Sequence, residues 1–218
     1  LRQLNQYSPE QIAQAVKAKG HPLFTGFDRH GKFRAHDLTI VGIRNDDPGQ
    51  EDSNRFNDDI IIFDPSTPDR TDCWIFPGTT DPGTKGRLKP SNSAGLAILV
   101  PGHYKSCWGI GMHQNKYPAL RQIGPMDFWR DNDKDGSLKL SGAVDQDDAF
   151  IGCNFHHASY TTESKFVDNW SLACQVLARN IHWNLAWGLI TDAGKNWGDK
   201  FSYTLMLKSD LKPYSGAK

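Results

Sequence analysis

From Leu38 onward the chain alternates short apolar runs with clusters of turn residues: Leu38–Arg44, Asp59–Phe63, Cys73–Phe76, Leu96–Val100, Trp108–Met112, Met126–Arg130 and Phe150–His156. Runs this short and this regularly spaced predict the strands of a β-sandwich or barrel. Asn45-Asp46-Asp47-Pro48-Gly49 and the polar segment Asp64–Asp72 supply the reversals between them. Ahead of the strands, Ser8-Pro9-Glu10-Gln11 has the form of a capping box with proline at the first helical position, and Gly20 closes the segment. A helix is therefore predicted over residues 9–19, with Ile12 and Val16 on one face. From Leu172 to about Ala193 the period changes to a helical one that offers Val176, Leu177, Ile181, Leu185, Trp187 and Leu189 for burial, and Phe201–Leu207 returns to strand character. The expected class is mainly β, with a short N-terminal helix and helices late in the chain. The expected division is an N-terminal helical appendage over 1–20 and a β domain over 21–218. No repeat or linker cuts the chain further, and the tail after Asp210 is expected to be mobile.

Candidate chemistry gathers in two segments, Asn154-Phe155-His156-His157 and Ser171-Leu172-Ala173-Cys174-Gln175. A free cysteine has a pKa of about 8.5, so a nucleophilic thiol needs an imidazole or a helix N-terminus beside it. In a strand, Asn154 and His156 share one face while Cys153, Phe155 and His157 share the other. Cys153 and Phe155 suit a core, which leaves His156 as the candidate base and His157 in reserve. Ser171 reads as the N-cap of a helix whose first turn holds Cys174, where the unpaired amides favour an anion.

A histidine at a strand end, followed after a loop by Ser-x-x-Cys, resembles the catalytic core of the L,D-transpeptidase (YkuD-like) family, in a divergent and phage-like branch. The segments Phe76–Gly83 and Pro101–Tyr104 also resemble loops of that branch, and the likeness spans about residues 38–190. Ala173 takes the place of the family's glycine. The resemblance implies a YkuD-like β domain that acts on peptidoglycan stem peptides through a thioester on Cys174, with His156 as base and Ser171 helping to orient the site. Water as acceptor would make it a carboxypeptidase or endopeptidase, and an amine acceptor a cross-linking transpeptidase. It further implies a place in the cell envelope, the periplasm or a virion, although residues 1–6 carry no signal-peptide pattern.

Basic and acidic residues cancel, with 25 of each, so no overall field favours nucleic acid. No apolar run reaches the length of a membrane span. The spacings of Cys73, Cys107, Cys153 and Cys174 match no zinc motif, and no cofactor is expected. Asp131-Asn132-Asp133-Lys134-Asp135-Gly136 opens like a calcium loop, but Gly142 stands where the bidentate glutamate belongs. Asp131, Asp133 and Asp135 are thus expected to hold at most weak structural calcium, aided by Asp145, Asp147 or Asp148. Tyr104, His113, His157 and Trp170 are candidates for lining a substrate groove. The alternative function is a non-catalytic structural or binding protein, such as a phage tail or virion component with its own assembly partners, in which the site has decayed.

Overall fold

The computed structural model describes residues 7–23, 38–50, 54–64, 72–145 and 149–214. In chain order they form α1 (Pro9–Ala18), β1 (Thr39–Arg44), β2 (Asp58–Asp64), β3 (Asp72–Thr79), α2 (Thr84–Leu88), β4 (Leu96–Leu99), β5 (Gly102–His113), β6 (Tyr117–Gln122), β7 (Phe128–Asp131), β8 (Phe155–His157), β9 (Gln175–Leu177), α3 (Asn180–Trp197) and β10 (Lys200–Leu207). Eight strands close into a barrel in the order β1-β10-β5-β6-β8-β9-β3-β2, and β4 pairs with β7 in a separate sheet. Neighbours in the barrel are antiparallel except β1 with β10 and β8 with β9, which are parallel. Among the described residues no helix is long and apolar enough to cross a membrane.

β1 and β2 are apolar on both faces because both faces are covered. Ile40, Ile60, Ile62 and Phe76 enter the barrel core with Trp108, Leu120, Phe155 and Tyr203. Val41, Ile43, Ile61 and Phe63 point the other way, into a second core completed by Ile12, Ala13, Ala15 and Val16 of α1. The capping box forms as predicted: Gln11 N–H donates to Ser8 Oγ at 3.3 Å and Ser8 N–H to Gln11 Oε1 at 2.7 Å. Fully burying a side chain the size of Ile12 is worth about 1.5–3 kcal/mol. The helix is therefore fixed to the barrel mainly by packing. Leu211, in a short 3-10 helix over Lys208–Tyr214, joins the same outer core, where a mobile tail was expected.

A buried ionic cluster ties four segments together at one end of the barrel. Arg44 donates through Nη1 to the Leu99 carbonyl at 2.9 Å and through Nη2 to the Thr80 carbonyl at 3.2 Å, and its Nε lies 2.8 Å from Asp81 Oδ1. Thr80 donates its N–H and its hydroxyl to Asp58 Oδ2, while Asn45 N–H donates to Asp58 Oδ1. Thr79 and Thr80 are buried. Burial, then the Asp81 carboxylate, raise the Asp58 pKa from 3.8 to about 7, against the Asn45 and Thr80 amides and Arg44, which lower it. The folded state thus holds a proton that the unfolded chain has already released. The resulting stability is fully present below about pH 4 and is lost as pH rises through about 7. The melting temperature of the unmodified protein, measured relative to Asp58→Asn, is expected to fall between about pH 5 and about pH 8. A difference that stays flat across that range would contradict this account.

Three stretches depart from the sequence expectation. Phe150–His156 pairs as a strand only from Phe155, because Gly152 has a left-handed φ of 81° and the amides of Gly152 and Cys153 donate to the Gln122 side chain instead. The strand β6 was missed because it contains Pro118 and the charged Arg121. The helix expected from Leu172 starts only at Asn180, and residues 175–177 form β9, a strand buried on both faces whose alternation is therefore invisible.

Candidate active site

The hairpin β5–β6 turns through Gln114 and Asn115, whose φ values of 49° and 57° give the handedness that matches strand twist. It sets His113 directly opposite Tyr117. Across the sheet, β8 and β9 register Phe155 with Gln175 and His156 with Val176. Alternation then places Asn154, His156, Cys174 and Val176 on one face, opposite to the core residues Phe155 and Leu177. One ring nitrogen from each of His113 and His156 and the Cys174 sulfur all lie within 4.8 Å of one another. The two imidazoles stack with their centroids 4.1 Å apart.

His156 is 1% exposed. Its Nδ1 lies 2.7 Å from the His157 carbonyl, which can only accept, so Nδ1 carries the proton and Nε2 presents a lone pair. The Tyr117 hydroxyl stands 3.2 Å from the same Nδ1. Nε2 is buried and has no hydrogen-bond partner among the described residues. Burial first, and then the neighbouring His113, push the His156 pKa down to about 3. The imidazole is neutral in the resting site, with a free basic atom.

Cys174 is 9% exposed. Asn154 N–H donates to its sulfur at 3.5 Å, and its thiol donates to the Gly152 carbonyl at 3.5 Å. Burial pushes the thiol pKa up to about 11, partly countered by that amide. The resting pair is accordingly thiol and imidazole, and not an ion pair. Among the described residues no disulfide links Cys73, Cys107, Cys153 and Cys174.

Ser171 is not an N-cap. No helix follows it until Asn180, and its hydroxyl donates to the Cys174 carbonyl at 2.8 Å, so it pins the Cys174 segment from behind. The amide beside the sulfur comes from Asn154 and not from a helix end. Ala173 is absent from the left-handed residues, so alanine is unstrained where the resembled family has glycine. Its carbonyl accepts from the Cys153 thiol at 3.1 Å and from Gln175 Nε2 at 3.2 Å. Gln175 is held in turn by the Tyr203 hydroxyl, which donates to its Oε1 at 2.7 Å. That hydroxyl has room only because residue 42 is glycine, since a Cβ there would sit 1.9 Å from it.

The other sequence candidates fall in different places. His157 packs its ring against Tyr117, Tyr160 and Trp183 beside the site. Trp170 is 39% exposed in the segment before Ser171. Tyr104 is buried in the barrel core with its hydroxyl donating to the Val100 carbonyl, so it lines no groove. In the acidic loop, Asp131 accepts from the amides of Asp133 and Lys139, Asp135 from Ser137, and Asp133 pairs with Lys139. Asp145 pairs with Arg130, while Asp147 and Asp148 lie outside the described residues. Sequence reading missed Tyr117, the structural use of Asn154, and the Gln175–Tyr203 prop. The only signal for Tyr117 was its position four residues after His113. Comparison with protein-family models, curated proteins and solved structures finds no match to this chain.

Proposed function

We propose that this chain is a cysteine acyltransferase or hydrolase acting on peptidoglycan stem peptides through a thioester on Cys174. The observation that carries the reading is that a ring nitrogen of His156, whose Nε2 is buried and unpartnered among the described residues, lies within 4.8 Å of the Cys174 sulfur, at the two positions that the L,D-transpeptidase resemblance singles out. Rotation of the Cys174 side chain exchanges its bond to the Gly152 carbonyl for one to Nε2. The sulfur attacks the substrate carbonyl as its proton passes to Nε2. The imidazolium then returns that proton to the leaving amine, and a thioester remains. Water or an acceptor amine releases the acyl group, giving hydrolysis or cross-linking respectively. The Asn154 amide favours the developing thiolate.

The alternative, a structural or virion protein with an inert site, is favoured by one observation. Both reacting groups are almost fully enclosed, as structural cysteines are. Incubation with purified tetrapeptide and cross-linked muropeptides, followed by intact-protein mass spectrometry, separates the two. The proposal expects an added acyl mass on Cys174 and released or transferred fragments. Unchanged substrates and unmodified protein across several muropeptides would favour the alternative.

A further inference from the structure

The same donors are also the donors that a zinc-class ion selects. We propose that His113, His156 and Cys174 form a binding site for a borderline-soft divalent cation, zinc above all. Two imidazoles and a thiolate are the ligand types zinc prefers, and three protein ligands leave a fourth position open. Zinc–nitrogen bonds of about 2.0–2.1 Å and zinc–sulfur bonds of about 2.3 Å imply donor separations of roughly 3.3–3.6 Å. Donors already within 4.8 Å of one another need contract by only roughly an ångström.

An independent observation points to a ligand. His156 Nε2 is a buried lone pair with no partner among the described residues, and such a bond is costly to leave unmade. Its other nitrogen donates to the His157 carbonyl, the outer-shell contact that fixes tautomer and ring orientation in metal-bound histidines. His113 is held by the opposite kind of contact, since Asn154 Oδ1 accepts from the Gln122 amide at 2.8 Å and Asn154 Nδ2 therefore donates to His113 Nδ1 at 3.1 Å. Binding the ion requires His113 to give up that bond or its Nε2 proton, so one of the three donors already has its outer contact.

The ion would occupy both the thiolate and the lone pair of the base, so metal binding and acyl transfer exclude each other. That consequence rests on the function proposed above, whereas the binding rests on donor geometry alone. The test uses the full chain stripped of metal by chelator. Calorimetric titration with zinc is expected to give one ion per chain, and titration with cobalt(II) to give a sulfur-to-cobalt charge-transfer band. Losing outer-shell groups weakens metal sites by roughly 10–100-fold, so Cys174→Ser and His113→Ala are each expected to cost at least that, with the cobalt band absent from the former. His113 is half-buried at a hairpin end, and a retained melting transition shows that its variant folds. No binding by the unmodified protein, or unchanged affinity in Cys174→Ser, overturns the site. Zinc binding without any muropeptide activity in the metal-free protein leaves the site standing and sinks the acyl-transfer reading. Activity that requires the ion overturns the mutual exclusion.

Discussion

Cys174→Ala is expected to abolish turnover of stem-peptide substrates and to leave no acyl mass on the protein, because only Cys174 carries the acyl group in the proposed mechanism. His156→Ala should reduce the rate by about 10²–10⁴, the usual contribution of a positioned general base. His157→Ala should cost less, since the His157 side chain donates its Nδ1 proton to the Ala158 carbonyl at 3.1 Å and packs against Tyr117, Tyr160 and Trp183, while the carbonyl that holds His156 belongs to the backbone and survives the change. Muropeptide fragments quantified by mass spectrometry give all three rates, and near-ultraviolet circular dichroism reports whether the buried site survives each change. Full activity in Cys174→Ala would remove the nucleophile assignment. Equal losses in the two histidine variants would remove the choice of base.

The largest effect on stability is expected at Arg44. Its guanidinium is completely buried and is the cation beside Asp81, so Arg44→Met leaves a carboxylate enclosed without its counter-charge. Breaking a buried pair from one side costs about 3–5 kcal/mol. For a chain of this size each kcal/mol moves the melting temperature by about 2–4 °C, so a drop of roughly 6–20 °C is expected. Adding Asp81→Asn to Arg44→Met should recover part of that loss, because it removes the stranded charge. Calorimetric melting of the two variants checks both statements. A single variant that melts with the unmodified protein would show that Arg44 is held by its carbonyl contacts alone.

The parts of this fold that the chain announced were those in which one segment carries its own instruction. Ser8, Pro9 and Gln11 specify the start of α1 by themselves, and the isoleucine-rich runs of β1 and β2 cannot be anything but buried. The parts that stayed hidden depend on partners distant in sequence. β9 looks helical because Gln175 is polar and Ala173, Val176 and Leu177 suit a helix stripe. Only its parallel pairing with β8 and the Tyr203 hydroxyl waiting for Gln175 explain a strand there. The site was legible in the same divided way. His156 and Cys174 stood out by residue type and spacing, and the structure brings them together. Tyr104 looked like a groove residue because it gathers with His and Lys residues around a predicted hairpin, yet it faces the core. Ser171 was singled out for the right neighbour and the wrong contact, since its hydroxyl serves the Cys174 carbonyl and not a helix end.

The order of strands also bears on how the chain is made. β10 lies between β1 and β5, so the barrel cannot close until β10 has left the ribosome. Until then β1 and β5 each present a row of unpaired amides and carbonyls, the surface on which nascent chains stick to one another. A product that stops before Lys200 keeps both edges open, so premature termination yields aggregation-prone chains and not a smaller working protein.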